Sequence, residues 1–388
     1  MRYLKYIIKG INPRNFYYIF SSSLKDYAGR RNSAYSNEIH AKAAMMWLSF
    51  AQKQNNDGGV SAMYSLFEGW APSYIETTGY IIPTFFNYAA FSKNNSYREE
   101  AVQMADFELN NQLQSGAFPG AGKKDAPVVF NTGQVLFGLC RAYEETNDEK
   151  YRKAAGKASD WLVSVMDEDG CWRKYEYLNQ MHTYNTRTAY ALLCAHKITK
   201  NSAYKDAAIK NIEWALTQQL ENGWLQNNAF FSGQEPLVHT IAYAINGILD
   251  SAVYLRKKKY LEASAKAATP LLQAQREDGS LQGSFSREWK SSVNWSCLTG
   301  NSQMSIIWQK LFISTKEQKY LDAARKSNAY MKTVQNMNSS NPGVKGGIPG
   351  AFPIYGWYAP FCYPNWAAKF FVDALLLEEH LELADKFA

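Results

Sequence analysis

Two kinds of segment alternate along the chain. In the first, apolar residues recur every three to four positions and charges fill the rest, which predicts an amphipathic helix with one solvated face. Residues 38–54 are the first copy. Later copies open on Tyr: Tyr97-Arg98-Glu99-Glu100-Ala101, Tyr151-Arg152-Lys153-Ala154-Ala155, Tyr204-Lys205-Asp206-Ala207-Ala208, Tyr260-Leu261-Glu262-Ala263 and Tyr320-Leu321-Asp322-Ala323-Ala324. The second kind is apolar all round, over 77–91, 132–145, 186–199, 240–255, 299–314 and 365–380. Helices without a polar face are buried ones.

A polar phrase opens each buried segment: Glu76-Thr77-Thr78-Gly79-Tyr80, Asn131-Thr132-Gly133, Tyr184-Asn185-Thr186-Arg187, His239-Thr240-Ile241-Ala242-Tyr243, Leu298-Thr299-Gly300-Asn301 and Pro364-Asn365-Trp366. Thr78, Thr132, Thr186 and Thr240 are 54 residues apart each time. Such a period marks a repeat architecture whose units bury their faces only by stacking. Six amphipathic outer helices alternating with six buried inner ones predict an all-α fold, an (α/α)6 toroid or six-hairpin barrel, over residues 37–388. Most outer segments end near a Gln and run into a glycine turn, such as Asp57-Gly58-Gly59, Asp169-Gly170-Cys171-Trp172 or Asp278-Gly279. These turns are expected to be left-handed helix caps. Inner-to-outer connections are short. Outer-to-inner ones run to roughly 15–28 residues, are rich in aromatics, and all fall on one face of an up-and-down ring, which is where function is expected.

Charge changes the picture at one end only. The chain is +7 overall, but residues 1–35 hold seven Lys/Arg against Asp26 alone. The ring is close to neutral, which argues against a nucleic-acid partner. Residues 1–36 are expected to be a basic amphipathic leader and linker. Leu4, Ile7, Ile8 and Ile11 lie at helical spacing up to Pro13, suited either to peripheral membrane contact through residues 1–20 or to docking on the ring. No run of 18 apolar residues is present and no secretory signal is recognised. Five scattered cysteines without C-x-x-C fit reduced thiols in a cytoplasmic protein, free or membrane-associated.

The Gln…Asp-Gly-Trp pattern resembles the repeat of squalene-cyclase and prenyltransferase toroids. The helix-opening phrases over residues 38–380 are similar to bacterial proteins encoded with exopolysaccharide-biosynthesis genes, distantly related to six-hairpin glycosidases. That resemblance implies glycan synthesis or modification and assigns no catalytic residue. The Asp-x-Asp-Asp acid motif of squalene-type cyclases is absent, which leaves a terpene-type cyclase a distant third reading. No Cys/His set has zinc-ligand spacing, and no nucleotide-binding glycine motif occurs, so no cofactor is expected.

The long loops and first inner turns supply the candidate chemistry. Aromatic rings stack on sugar faces while sparse polar groups fix hydroxyls. The candidate catalytic residues are Glu76, His182, Tyr184, Arg187, Glu235 and His239. The candidate substrate-binding residues are Trp70, Asn131, Asn185, Tyr243, Trp295, Tyr355, Trp357 and Asn365. Glycoside hydrolysis would pair Glu76 with Glu235 or Glu176. Lyase or epimerase chemistry on a uronate would use His182, Tyr184 and His239 for the proton and Arg187 for the carboxylate, while Glu235, four residues before His239, is expected to orient its imidazole. The expected partner is an oligosaccharide or polysaccharide, acidic or lipid-linked; the sequence leaves the oligomeric state open. A non-catalytic glycan-binding scaffold is the alternative. Convergence of at least two of Glu76, His182, His239 and Glu235 in one pocket favours an enzyme.

Overall fold

The computed structural model describes residues 13–29, 31–122 and 125–387. Twelve helices build the ring. The outer helices are α2 (Asn37–Gln52), α4 (Asn95–Asn111), α6 (Glu149–Ser164), α8 (Ser202–Thr217), α10 (Lys258–Gln273) and α12 (Gln318–Val334). The inner helices are α3 (Ile75–Ser92), α5 (Val129–Thr146), α7 (Thr186–Thr199), α9 (Val238–Leu255), α11 (Leu298–Thr315) and α13 (Asn365–Glu379). Successive inner helices pack side by side, and α13 returns against α2 and α3 to close the (α/α)6 toroid. A further helix, α1 (Pro13–Tyr27), precedes the ring. Residues 13–27 of the expected leader and linker are thus helical; the amphipathic pattern of residues 2–11 lies outside the described residues.

Each repeated sequence feature has a mechanical role. In three outer helices the opening Tyr donates its hydroxyl to a carboxylate on the preceding outer helix: Tyr151 to Asp106 at 2.8 Å, Tyr204 to Asp160 at 2.7 Å and Tyr260 to Glu213 at 2.8 Å. The terminal Gln bridges two hairpins with one amide. Gln275 Nε2 donates to the Gly279 carbonyl of its own turn and to Ala323 on the next outer helix. Gln52, Gln112 and Gln219 repeat this, and Gln335 makes the same bridge from Gly346 to His40, across the seam between last and first hairpins. In the third hairpin the position is Met166, and Asn211 of the next helix reaches the Gly170 carbonyl instead.

The turn glycines are not the helix caps expected of them. α2 ends on a right-handed Lys53, five residues before Gly58. The left-handed caps lie at the ends of inner helices, on Lys93, Asn147, Lys200, Arg256 and Lys316, where they make the short connections to the next outer helix. The turn glycines instead allow close approach. Gly279 has φ +88°, and a Cβ there would sit 2.1 Å from the carbonyl oxygen of Lys326 on α12. Gly279→Ala is therefore expected to cost more than about 2 kcal/mol, from left-handed strain plus the clash. A urea midpoint equal to wild type would show that the turn shifts freely.

Two Thr residues of the repeat tie the turn to the mouth, whereas Thr186 and Thr240 donate to the Ala244 and Leu237 carbonyls. Thr78 Oγ1 accepts the Val60 amide at 3.0 Å and Thr132 Oγ1 accepts that of Phe118 at 2.9 Å, so each loop is anchored on the first turn of the inner helix that follows it. Short strands then lace the mouth together. β1 (Met63–Ser65) pairs antiparallel with β2 (Gly69–Trp70) and with β5 (Cys362–Pro364), with Tyr64 opposite both Trp70 and Tyr363. β3 (Ser296–Cys297) pairs with β4 (Ala351–Phe352). The first, fifth and sixth long loops are thereby fixed to one another.

Below the mouth, the ring axis carries buried charge. Arg187 is 1% exposed; its Nε donates to Gln134 Oε1 at 2.7 Å, and its guanidinium lies 4.7–5.9 Å from the ring centres of Phe137, Tyr243, Phe370 and Tyr80. On α13, Lys369 pairs with Asp373 at 2.8 Å, and Thr84 donates to the same carboxylate. Elsewhere among the inner helices, Lys310 pairs with Asp250 at 2.7 Å and reaches the Phe387 carbonyl near the C-terminus.

Candidate active site

The mouth opens into a cavity of about 890 Å³. Its wall comes from the first turns of α3, α5 and α9, the segment 175–179, Phe230 and Phe231 of the fourth long loop, and Tyr358 and Trp366 of the sixth hairpin. Aromatic rings dominate: Tyr74, Tyr80, Phe130, Tyr184, Phe230 and Tyr243 all face it. Segment 175–179 is held in strained backbone, with φ of 60° at Tyr175, 58° at Leu178 and 51° at Asn179. It is pinned by the Val129 amide donating to Tyr175 O at 2.9 Å.

Glu76 and His239 line the same cavity, from opposite sides of the helix order. Glu76 lies in the first turn of α3 and accepts the Tyr74 hydroxyl at 2.5 Å. Burial pushes its carboxyl up to about 7, against the Tyr74 hydrogen bond and the Arg187 charge, which pull it down. His239 lies in the first turn of α9. Its Nδ1 pairs with Gln303 Oε1 at 2.8 Å; with the amide oxygen as acceptor the proton is on Nδ1, which leaves Nε2 unprotonated. Burial lowers this imidazole to about 4, so it is neutral at pH 7. A carboxyl that holds a proton near neutrality and an imidazole that does not are an acid and a base poised together.

Other predicted residues divide by position. Tyr184, Asn131 and Tyr243 line the cavity. His182 is behind the wall, its ring stacked on Tyr184 at 4.4 Å and its Nε2 against Tyr177 O. Asn185 is buried beside Glu176. Arg187 is beneath the floor, not in the wall, so it acts on the cavity through its field rather than by touching a carboxylate.

Six predicted residues lie elsewhere. Glu235 is exposed and takes hydrogen bonds from Ser284 and Ser292; Gln303, not Glu235, orients His239. Trp70 is in the mouth sheet, packed on Trp47 and Tyr64. Trp295 covers Gly283 and Gly356, where a Cβ would collide with its indole. Tyr355 and Trp357 are 43% and 56% exposed outside the cavity. Asn365 is fully buried and structural, donating to Ser61 O and Thr77 Oγ1. Glu235→Gln and Trp357→Ala are accordingly expected to leave turnover within about twofold of wild type, since surface changes away from a site are near neutral.

The sequence reading left out Gln303 and gave Glu176 only as an alternative carboxylate. Glu176 lines the cavity and is buried, and burial raises its carboxyl well above the usual range. Tyr80, Tyr358 and Trp366 complete the wall, with Trp366 Nε1 donating to the Tyr358 hydroxyl at 2.9 Å. Among the described residues no cluster of three or more His, Cys, Asp or Glu is arranged to hold a metal ion.

Solved structures share this (α/α)6 fold. Unsaturated glucuronyl hydrolase specific for heparin superposes with a TM-score of 0.72 at 16% identity, over 90% of this chain and 98% of that one. Unsaturated glucuronyl hydrolase of Bacillus sp. GL1 gives 0.70 at 15%, over 89% and 97%. Cellobiose 2-epimerase of Bacillus thermoamylovorans B4167 gives 0.70 at 16%, over 87% and 96%. The model of the squalene-hopene cyclase C-terminal domain matches residues 70–249. None of the curated proteins compared matches the chain in sequence. At these identities the likeness is one of fold.

The Glu76 shift carries a stability consequence. Between the ordinary carboxyl value of 4.5 and about 7, the folded chain keeps a proton that the unfolded chain releases. This contribution is complete below 4.5 and is lost as pH rises through 7, an effect of about 3 kcal/mol. Urea unfolding of wild type and Glu76→Gln at pH 5 and pH 8 is expected to show the variant gaining on wild type by that order at the higher pH. A difference independent of pH would mean that Glu76 is ionised throughout.

Proposed function

We propose that the chain is an acid–base enzyme acting on a glycan bound in the ring mouth. The observation that carries this reading is the pairing of protonated Glu76 with unprotonated His239 in one aromatic cavity. In hydrolysis, Glu76 protonates the departing glycosidic oxygen and His239 Nε2 takes a proton from the attacking water. Burial disfavours ionisation of Glu176, which suits it to hydrogen-bond the sugar better than to serve as the base. Aromatic walls supply stacking for pyranose faces. Support comes also from the glucuronyl hydrolases and the epimerase that share the fold. The resemblance of residues 38–380 to exopolysaccharide-associated proteins supports bacterial exopolysaccharide assembly as the setting of this reaction.

A second reading, elimination or epimerisation of a uronate, is favoured by Arg187. Its charge under the floor has no ion-paired carboxylate among the described residues and is felt at Glu76, His239 and Tyr243. There His239 removes the proton next to the carboxylate and Glu76 handles the opposite face. The test is incubation with neutral and uronate-bearing oligosaccharides. New reducing ends without ultraviolet absorbance support hydrolysis. Absorbance from an unsaturated uronate, or solvent deuterium at the carbon next to the carboxylate, supports the second reading. Binding without any of these would overturn both in favour of a glycan scaffold.

A further inference from the structure

Helix α1 is attached to the ring by one face only. Tyr18 donates to or accepts from Ser340 at 2.7 Å, and Tyr18 and Ile19 pack against the core. Asp26 accepts the Ile354 amide at 2.8 Å. Just beyond the helix, the Asn32 amide reaches Thr333 O and its side chain reaches Gln335 O, both at 2.8 Å. Arg31 lies over the Phe352 ring at 3.9 Å and 3.6 Å from Asp278. The opposite face carries Tyr17, Phe20, Leu24 and Tyr27, exposed by 67, 61, 56 and 81%. They recur at intervals of three, four and three residues, so they form a single stripe along the helix. Scattered exposed apolar residues need no explanation, but four in register on one 15-residue helix do.

Charge says what the stripe meets. Residues 1–24 contain Arg2, Lys5, Lys9 and Arg14 and no Asp or Glu. An apolar aromatic stripe in a cationic segment is complementary to an anionic lipid surface, where rings enter the headgroup boundary and cations meet phosphates. Among the described residues no helix is long and apolar enough to cross a membrane, so the contact is one of docking. The clamp is also informative. Ile354, bound by Asp26, shares a loop with Tyr358, which lines the cavity, and with exposed Tyr355 and Trp357. We infer that α1 docks the protein on anionic membranes through Tyr17, Phe20, Leu24 and Tyr27, on the side of the ring that bears the sixth mouth loop.

The test is flotation of the full chain with phosphatidylcholine vesicles, with and without phosphatidylglycerol, and it reads no turnover, so it stands apart from the catalytic reading. Binding is expected only with phosphatidylglycerol, and is expected to weaken in high salt. Tyr17→Ser/Phe20→Ser/Leu24→Ser is expected to weaken it about tenfold or more with an unchanged thermal midpoint, since these side chains are exposed in the folded chain. No binding to anionic vesicles at low salt would overturn the inference. So would equal binding by the triple variant, or a concentration-dependent dimer that the triple variant abolishes, which would assign the stripe to a second copy of the chain.

Discussion

Glu76→Gln is expected to lower glycan turnover by about two to four orders of magnitude while substrate binding persists, because Gln keeps the shape and the acceptor oxygen but has no proton to give. The wild-type pH profile follows from the same site. On the proposed mechanism activity requires Glu76 protonated, so it is expected to fall as pH rises through about 7; it requires His239 neutral, so it is expected to fall as pH drops through about 4. The result is a bell between those limits. His239→Gln removes the acidic limb with the base, and Gln303→Leu should shift it by freeing the imidazole from its fixed tautomer. Turnover of Glu76→Gln near wild type, with an unchanged alkaline limb, would take Glu76 out of the chemistry and leave it as a buried carboxyl at a helix N-terminus.

The second large effect concerns the ring axis. Asp373→Ala removes the carboxylate partner of Lys369 and the acceptor of Thr84 at sites 1–3% exposed. Lys369 keeps its contacts with the Tyr80 and Phe370 rings but loses the Asp373 charge. Breaking one half of a buried pair is expected to cost about 3–5 kcal/mol. Burial and Arg187 already pull the Lys369 ammonium down to about 8 despite Asp373, so the site is poorly disposed to hold an unbalanced cation. Replacing both partners, Lys369→Met with Asp373→Leu, is expected to cost far less than the single change, because no charge is then stranded. Urea denaturation of the three chains measures this. A single variant within about 1 kcal/mol of wild type would show that water or neighbouring groups compensate Lys369.

Much of the ring was legible because its periodic residues do periodic work. Thr78 and Thr132 recur at 54 residues since each holds the amide of a preceding loop, and the terminal Gln recurs since each bridges two hairpins. Glu76 and His239 were legible because first turns of inner helices must face the mouth. The misplaced residues share a cause. Glu235 and His239 are four apart, but α9 begins at Val238, so the helical rule that brings such residues together does not extend back to Glu235. Gln303 lies 64 residues from His239, on the neighbouring inner helix, and no local pattern couples them. Trp295 reads like a sugar platform, yet it fills the space left by Gly283 and Gly356, a fact of tertiary packing alone. Arg187 is in the expected turn, but whether such a residue points up into the mouth or down the axis is decided by its cage of four rings.

The Gln335–His40 bridge has a consequence for how the molecule comes apart. An open solenoid can fray from either end, one unit at a time, because its terminal units have a single neighbour. Here the last unit is fastened to the first by the same glutamine bridge as four of the other five junctions, so there is no end from which to unravel. Opening any junction strands two interfaces at once, and loss of structure is expected to be all-or-none along the ring rather than graded. By the same reasoning the seam is nowhere special. A chain with its natural ends joined and a new break placed in a short inner-to-outer connection, such as 93–94 or 200–201, would rebuild the same circle from a different starting point.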